Sequence, residues 1–189
     1  MKWSARIDRA IEIAAKQHGE QKRRNGVTPY IVHPFTVAWM VSEYTDNEET
    51  IIAALLHDVV EDTDGYGLKE ISKEFGAGVA VMVGKMSKNV NVPNKAELPW
   101  MEVKKKHLEK LKKADREILL VRIMDHIHNA ATMIEELKKE GKTFWERFNG
   151  TKEEKHQWEL MNYEMFAERQ LPEKLCHKFR KLIAEIYEG

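Results

Sequence analysis

The sequence predicts an all-α fold, a bundle of roughly nine helices, and two observations support this prediction. Apolar residues recur at the spacing of a helical face through most of the chain, and no segment shows the alternation typical of a half-buried strand. Glycines and prolines fall between the periodic segments, where they end one helix and precede the next. The length of 189 residues suits one domain with its own core, so we expect residues 1–189 to form a single domain.

Capping and breaking residues divide the first half of the chain into five predicted helices. Ser4 is predicted to cap the first helix, and Pro34 suits the first turn of the second. Asp46 or Asn47 is predicted to cap the third. The five helices are predicted over residues 4–18, 34–44, 47–61, 68–75 and 77–86.

The second half contains longer helices and a proline-rich connection. The segment from Asn89 to Pro99 carries two prolines and is predicted to be a loop, which leaves open whether it closes over a pocket. A helix is predicted over 100–113, and another starts near residue 118 and continues into a polar segment that ends at Gly141. Closing helices are predicted between about residues 144 and 187, with separate helices over 151–169 and 172–187.

Composition excludes several classes of function. Lys plus Arg and Asp plus Glu both number 31, so no overall charge favours nucleic acid or an anionic membrane. No apolar run reaches the roughly 20 residues that a membrane span requires. Cys176 is the single cysteine, which excludes an internal disulfide and suits a reducing cytosol, so we expect a cytoplasmic protein. Its helical segment indicates a packing role for Cys176.

The segment Leu55-Leu56-His57-Asp58-Val59-Val60-Glu61-Asp62-Thr63 brings an apolar run directly against polar groups. Buried charge is costly unless it is paired or bound to a metal. On a continuous helix, Glu61 would lie one turn beyond His57 and Asp62 one turn beyond Asp58, so all four would share one stripe. Such a stripe could hold a metal and handle a proton. The alternative is an acidic, solvated helix end.

Other parts of the chain supply candidate partners for this stretch. His33 lies at the start of a helix, and Asp125 lies where a second apolar run, Ile118 to Met124, ends. Two imidazoles and two carboxylates on three helices suit a divalent metal with open positions for water. His33, His57, Asp58 and Asp125 are therefore the candidate metal ligands. Asn129 and Thr132 lie on the same helical face as Asp125.

Several further residues have both a structural and a functional interpretation. Arg23 and Arg24 lie in a basic loop that is either ordinary and solvated or an anion clamp. His128 is interpreted as a packed histidine rather than a partner of a metal ligand. The basic residues on the 100–113 helix and Arg116 are interpreted as a solvated face, with a phosphate-attracting rim as the alternative. The aromatic patch of Phe144, Trp145 and Phe148 is interpreted as core rather than a base-stacking platform, and Lys155 as a surface lysine rather than a phosphate contact.

The chain resembles the HD-domain phosphohydrolase superfamily, and within it the guanosine polyphosphate (ppGpp) 3′-pyrophosphohydrolases. These are the hydrolase domains of RelA/SpoT-type proteins and their small single-domain relatives. The resemblance covers about residues 5–135. Its motifs are His18-x-x-Gln21-x-Arg23-Arg24-x-Gly26, Pro29-Tyr30-Ile31-x-His33-Pro34, Ala53-Ala54-Leu55-Leu56-His57-Asp58-Val59-Val60-Glu61-Asp62-Thr63, Phe75-Gly76 and Asp125-x-x-His128-Asn129-x-x-Thr132.

The resemblance implies an HD-domain bundle and a role for each matching residue. His33, His57, Asp58 and Asp125 match the family's metal ligands, and manganese is the metal usual there. Glu61 and Asp62 match the acidic pair that orients or deprotonates the attacking water. The residues that match substrate-binding positions are Arg23, Arg24, Asn129 and Thr132. The expected reaction releases pyrophosphate from ppGpp or pppGpp and leaves GDP or GTP. Since no further domain follows in the sequence, we expect a small stand-alone hydrolase.

Two departures from the family pattern leave alternatives open. His126 and Ala131 stand where the family usually has cations. The substrate could therefore be another phosphorylated nucleotide, or the chain could be a nucleotide-binding sensor without turnover. The intact His57-Asp58 and Glu61-Asp62 pairs argue against a sensor. A nucleic-acid phosphodiesterase is disfavoured by the zero net charge. The expected partner is a small nucleotide, with no nucleic acid and no membrane, and a homo-oligomer is left open.

Overall fold

A computed structural model describes residues 1–87, 99–148 and 150–188, and the regular structure in these ranges is helical. The α-helices are α1 Ala5–His18, α2 Val32–Val41, α3 Glu48–Leu56, α4 Val59–Asp62, α5 Leu68–Phe75, α6 Ala77–Met86, α7 Trp100–Leu111, α8 Arg116–Glu140, α9 Lys152–Glu168 and α10 Glu173–Tyr187. A 3₁₀ helix, Gly141–Arg147, separates α8 from α9. The all-α prediction is confirmed, with nine longer α-helices and the single turn α4 in the described ranges.

Local sequence signals account for several helix ends. The Ser4 side chain accepts a hydrogen bond from Ile7 N at the start of α1, as predicted. Asn47 rather than Asp46 caps α3, since its side chain accepts from the amides of Glu49 and Thr50. These acceptors satisfy amides that the first turn of a helix leaves without partners. The caps therefore set where α1 and α3 begin.

The prediction of one continuous helix over 47–61 is wrong at its end. Helix α3 stops at Leu56, the chain turns at His57 and Asp58, and α4 starts at Val59. The His57 Nδ1 atom lies 2.7 Å from Ala54 O. In an uninterrupted helix that carbonyl would accept from the amide of residue 58. The His57 side chain thus makes the hydrogen bond to Ala54 O that the amide of residue 58 would make in a continuous helix, at the point where the helix ends.

Helix α8 forms the centre of the bundle. Its first half is buried on nearly all sides, and it packs against α2, α3, α6 and α10. Helices α1, α3 and α2 follow one another around the first side of this core, and α9 and α10 close the other side. The cavity described below lies along the α8 face that carries Asp125, between these two groups of helices.

Three predictions about single segments can be compared with the fold. Cys176 is buried in α10, which confirms its packing role. Within the described residues, no helix combines the length and apolar character needed to cross a membrane. The loop predicted from Asn89 to Pro99 lies almost wholly outside the described residues, because only Pro99 of it is described.

Candidate active site

A cavity of about 480 Å³ is lined by nine of the ten predicted site residues. Its volume lies within the usual range for small-molecule sites. The nine that line it are Arg23, Arg24, His33, Asp58, Glu61, Asp62, Asp125, Asn129 and Thr132. The tenth, His57, lies directly behind Asp58, with its Nε2 atom 3.3 Å from Asp58 Oδ2. The fold therefore brings together residues from the loop before α2, from the turn between α3 and α4, and from α2, α4 and α8.

His33, His57 and Asp58 form a buried group that can hold a divalent metal ion. One ligand atom from each lies within 4.8 Å of the others. The fourth candidate is adjacent, because Asp125 Oδ1 lies 3.2 Å from His33 Nε2. Two imidazole nitrogens and two carboxylates make the mixed nitrogen and oxygen donor set that mid-series divalent metals accept.

The orientation of His57 fits a metal ligand. Its Nδ1 atom donates to Ala54 O, which leaves Nε2 facing Asp58. This Nε2 atom is buried and has no hydrogen-bond partner within the described residues. A buried polar atom without a partner is costly, and a metal would satisfy it. A histidine ligand that donates its other nitrogen to a carbonyl is common at metal sites.

His33 is held by a second histidine that the sequence interpretation assigned to packing. The Nδ1 atoms of His33 and His128 lie 2.7 Å apart, so one ring donates a hydrogen bond to the other. Burial lowers the pKa of His33. Burial, followed by the charges of His33 and Arg23, lowers the pKa of His128 to about 4. Both rings are therefore neutral at pH 7, as metal ligation requires. The contact favours the alternative interpretation of His128, a partner of a candidate metal ligand, over simple packing.

Asp125 is anchored by two neighbours on α8. Arg122 Nη1 donates to its Oδ2 at 2.7 Å, and Asn129 Nδ2 donates to its Oδ1 at 2.6 Å. Burial alone would raise the pKa of Asp125, but the Arg122 guanidinium, followed by His33, holds it well below its usual range. The carboxylate is therefore charged at neutral pH despite its burial.

The acidic pair on α4 is connected to the metal group by Tyr30. The Tyr30 hydroxyl lies 2.8 Å from Asp58 Oδ2 and 2.9 Å from Asp62 Oδ2. Burial, followed by the charges of the two aspartates, raises the pKa of Tyr30, so the hydroxyl stays protonated and serves as a donor. Glu61 lines the same cavity from the preceding position. Because α3 and α4 are separate, the pair reaches the cavity through the turn rather than along one helical stripe.

The four predicted substrate-binding residues come from two parts of the chain. Arg23 and Arg24 lie in the basic loop before α2, and Asn129 and Thr132 lie on α8. Arg23 Nη2 donates to Asn129 Oδ1 at 2.7 Å, which joins the basic loop to α8. The Arg24 guanidinium instead lies 4.2 Å from the centre of the Phe148 ring. Thr132 donates its hydroxyl to Asn129 O. Both arginines line the cavity, which favours the clamp interpretation of this loop over an ordinary solvated one.

Several cavity residues were not predicted from the sequence. Phe148 and Lys155 line the cavity, which contradicts the core interpretation of Phe148 and the surface interpretation of Lys155. Among the described basic residues of the 104–116 stretch, Lys104 alone lines the cavity. The further lining residues from the second half are Trp100, Arg122, His126, Met133, Glu136, Trp158, Glu159 and Tyr187.

The two departures from the family pattern have different positions. His126 is buried, with Nδ1 2.6 Å from Glu159 Oε2 and Nε2 3.3 Å from Arg122 Nη2. The cation next to Asp125 is thus Arg122, one turn earlier on α8. Ala131 is exposed and is not among the residues that line the cavity.

Comparison with known proteins identifies a family and several relatives. The family described as HD domain matches residues 10–152. A guanosine-3′,5′-bis(diphosphate) 3′-pyrophosphohydrolase from Aquifex aeolicus is 40% identical over 130 residues, which are 67% of this chain and 18% of that protein. A GTP pyrophosphokinase from Streptomyces coelicolor is 36% identical over 127 residues, which are 67% of this chain and 14% of that protein. The chain thus spans less than a fifth of the length of these relatives.

Two solved structures share the fold over most of their length. One is described as a metazoan ortholog of SpoT that hydrolyzes ppGpp and plays a role in starvation responses. It superimposes with a TM-score of 0.74 and 25% identity, covering 98% of this chain and 97% of that one. The other, from Listeria monocytogenes EGD-e, has a TM-score of 0.68 and 25% identity, covering 83% of this chain and 99% of that one.

Proposed function

The chain belongs to the HD-domain family, and on that premise we propose that it is a metal-dependent hydrolase of ppGpp and pppGpp. The products are pyrophosphate and GDP or GTP. One observation carries the proposal: His33 and Asp58, two members of the buried group that includes His57, line the same cavity as the Glu61-Asp62 pair. The name of the Aquifex relative and the activity described for the metazoan structure support the same substrate.

We assign the metal to His33, His57, Asp58 and Asp125, and we propose manganese as the ion. A divalent cation here would supply Lewis acidity and would activate water at neutral pH. Ligation by His33 through Nε2 requires its Nδ1 to carry the proton. His33 then donates to His128 Nδ1, so His128 has to be neutral, which agrees with its lowered pKa.

In this proposal, the Glu61-Asp62 pair accepts the proton of the attacking water. Water attacks the phosphorus bonded to the ribose 3′ oxygen, and its proton passes to a carboxylate of the pair. The bond between that phosphorus and the 3′ oxygen breaks, so pyrophosphate leaves and the ribose oxygen takes up a proton. Tyr30 orients Asp62 toward this position, because its hydroxyl spans Asp58 and Asp62.

The remaining predicted residues are assigned to the nucleotide. Arg23 and Arg24 hold the base and phosphates, since guanidinium groups offer both donors and a stacking plane. Asn129 and Thr132 face the nucleoside from α8. Asn129 also donates a hydrogen bond to Asp125 and accepts one from Arg23, so it fixes the position of the basic loop relative to the metal ligands.

We also propose that residues 1–189 act as one cytoplasmic domain on a small nucleotide, without a nucleic-acid or membrane partner. Lys155 of α9 and Tyr187 of α10 line the same cavity as the metal group, which supports a single functional unit. The zero net charge and the single cysteine support the partner and compartment assignments.

A single assay tests the proposed reaction. Purified protein with Mn²⁺ is offered ppGpp, pppGpp, GDP and cyclic dinucleotides, and released pyrophosphate and orthophosphate are separated. We expect pyrophosphate from ppGpp and pppGpp. Asp58→Ala and Glu61→Ala should abolish it, whereas Asp64→Ala, at an exposed residue outside the cavity, should not. Tight binding of ppGpp without turnover would instead indicate a sensor, and orthophosphate from another nucleotide would refute the substrate.

A further inference from the structure

A series of hydrogen bonds connects helix α9 to the candidate metal ligand Asp125 on α8. It starts at Glu159, whose Oε2 atom lies 2.6 Å from His126 Nδ1. The other ring nitrogen, His126 Nε2, lies 3.3 Å from Arg122 Nη2. Arg122 Nη1 in turn donates to Asp125 Oδ2 at 2.7 Å. We call Glu159, His126 and Arg122 the Glu159 network.

The Glu159 network selects one tautomer of the His126 ring. An ionised carboxylate offers only acceptors, and a guanidinium offers only donors. His126 Nδ1 faces Glu159 and therefore carries the proton, whereas Nε2 accepts from Arg122. The opposite tautomer would direct an N–H group at the guanidinium and a lone pair at the carboxylate. Both neighbours of the ring therefore favour the same tautomer.

The surroundings of the His126 ring make its hydrogen bonds important. The rings that lie against it have centroids 5.4 to 6.3 Å from its own, and they belong to Trp158, Phe166 and Phe179. His126 is only 7% exposed, and a buried polar atom without a partner is costly. Removal of the Glu159 acceptor would leave Nδ1–H in these apolar surroundings and would weaken the preference for this tautomer.

The position of the Arg122 guanidinium depends in turn on the His126 ring. The Arg122 side chain is 3% exposed, and its Nε atom has no hydrogen-bond partner among the described residues. The group is anchored through its terminal nitrogens, by Asp125 at Nη1 and by His126 at Nη2. Loss of the acceptor at His126 Nε2 would remove one anchor and allow the guanidinium to rotate about the other.

Asp125 is oriented by the same guanidinium. Arg122 bonds its Oδ2 atom, and its Oδ1 atom faces His33 Nε2 at 3.2 Å. Outer hydrogen bonds of this kind orient metal ligands and contribute to metal affinity. Glu159 lies beyond residue 152, where the family match ends. The sequence motifs of the hydrolytic centre therefore do not include it.

We propose that Glu159 is a positioning residue of the metal centre. Its carboxylate fixes the His126 tautomer that accepts from Arg122, and the network thereby holds the guanidinium against Asp125. The inference rests on the proposed function, because it takes Asp125 to be a metal ligand. It gives α9 a role in metal binding that requires no contact with the metal or the nucleotide.

Calorimetry of Mn²⁺ binding to the metal-free protein tests this role without turnover. Glu159→Ala should weaken Mn²⁺ binding about threefold to tenfold, below the effect of removing a residue that bonds a ligand directly. Glu159→Gln removes the charge but keeps an acceptor oxygen for Nδ1, so its Mn²⁺ affinity should stay within about twofold of the wild type. Equal losses in the two variants would overturn the proposal, because the charge rather than the hydrogen bond would then matter.

A matched control on the same helix separates the network from a general effect of charge. Glu164 of α9 is exposed and is not among the residues that line the cavity. Glu164→Ala removes the same charge, and we expect wild-type Mn²⁺ affinity. A loss equal to that of Glu159→Ala would contradict a specific role for Glu159.

A double-mutant cycle tests whether Glu159 acts through His126. His126→Phe keeps an aromatic ring at this position but lacks both nitrogens, so it disconnects Glu159 from Arg122. Adding Glu159→Ala to His126→Phe should weaken Mn²⁺ binding less than about twofold further, because coupled residues are not additive. A further loss as large as that of Glu159→Ala alone would overturn the proposed connection.

NMR spectra of ¹⁵N-histidine-labelled, metal-free protein identify the tautomer directly. The His126 signals are those that disappear in His126→Phe. We expect a protonated Nδ1 and an unprotonated Nε2 in the wild type and in Glu159→Gln, and a mixture of tautomers in Glu159→Ala. Unchanged His126 signals in Glu159→Ala would show that the carboxylate does not fix the ring and would overturn the proposal.

Failure of the network and failure of the proposed function give different results. If the wild type binds Mn²⁺ but does not hydrolyse ppGpp, the reaction is refuted, and calorimetry still tests Glu159. If it binds no Mn²⁺, the metal site is refuted, and the NMR spectra still decide whether Glu159 fixes the His126 tautomer. If Glu159→Ala hydrolyses ppGpp with a raised KM and binds Mn²⁺ like the wild type, Glu159 acts on the nucleotide and the positioning role is overturned.

Discussion

At the metal group, single hydrogen bonds decide which atom of each side chain faces the cavity. His57 Nδ1 donates a hydrogen bond to Ala54 O, and another hydrogen bond joins the Nδ1 atoms of His33 and His128. Both carboxylate oxygens of Asp125 accept hydrogen bonds. Such supporting contacts set the tautomer and rotation of a ligand before a metal arrives. Substitution of the residues that make these contacts therefore tests the site as directly as substitution of the candidate ligands.

Tyr30→Phe should lower kcat about tenfold to hundredfold, the usual range for a residue that supports a metal site. The change removes the hydroxyl shared by Asp58 and Asp62 but keeps the ring, whose centroid lies 4.6 Å from that of His18. Steady-state kinetics on ppGpp, with Mn²⁺ affinity by calorimetry, measures the effect.

The control for this change is Tyr66→Phe. Tyr66 also donates its hydroxyl to a carboxylate, Glu74, at 2.9 Å, but it does not line the cavity. We expect it to leave kcat and Mn²⁺ affinity unchanged. Wild-type kcat in Tyr30→Phe, or an equal loss in both variants, would show that the Tyr30 hydroxyl does not support the site.

Arg122→Met should destabilise the protein by about 3–5 kcal/mol, because it leaves the buried Asp125 carboxylate without its positively charged partner. The Arg122 and Asp125 side chains are only 3% and 7% exposed. Urea unfolding at pH 7 measures the change. In contrast, Lys85→Met breaks the exposed pair with Asp115 and should cost less than about 1 kcal/mol. Equal losses in the two variants would contradict the role assigned to the buried pair.

At the level of elements, the site depends on how helices end and on which face they present. The break between α3 and α4 turns Glu61 and Asp62 into the cavity, although α3 itself is buried. On α8, Arg122, Asp125 and Asn129 are spaced three and four residues apart, so they interact along one face. The cap at the start of a helix depends on a few neighbouring residues. Its contribution to the stability of the fold can therefore be measured separately from catalysis.

Asn47→Ala should lower the free energy of unfolding by about 1 kcal/mol, because it removes the cap of α3. The Asn47 side chain accepts from Glu49 N at 3.0 Å and from Thr50 N at 3.4 Å. Asn47→Ser keeps an acceptor and should stay within about 0.5 kcal/mol of the wild type. Urea unfolding compares the two variants. If serine is no better than alanine, the side-chain cap does not stabilise α3.

Across the whole molecule, the sequence predicted what is encoded locally. Helices, caps and the candidate ligands His33, His57, Asp58 and Asp125 follow from patterns a few residues long, and all four of these residues line or adjoin the cavity. The cavity-lining residues of α7 and α9 were not predicted as site residues, because packing between segments that are distant in sequence brings them to the cavity. Lys155 and Arg24 meet at the Phe148 ring although they are far apart in sequence. The break at His57 was missed because a side chain, not a glycine or proline, interrupts the helix.

The burial of neutral histidines makes the stability of the metal-free protein dependent on pH. Burial lowers the pKa of His33, and burial together with nearby charge lowers that of His128 to about 4, whereas an unfolded histidine titrates near 6.5. Between these values the unfolded chain binds protons that the folded chain does not. The contribution to stability is therefore fully present above about pH 6.5 and is lost as the pH falls toward 4.

His128→Gln should reduce this loss of stability by about 1–2 kcal/mol between pH 7.5 and 4.5. The full shift of His128 corresponds to at most about 3 kcal/mol, and the partial exposure of its ring reduces it. Urea unfolding of the metal-free protein at the two pH values measures the difference. His177→Gln, at an exposed histidine on α10, should retain the wild-type pH dependence. A wild type that becomes more stable as the pH falls would contradict the neutral, buried state of both rings, because protonation would then favour the folded chain.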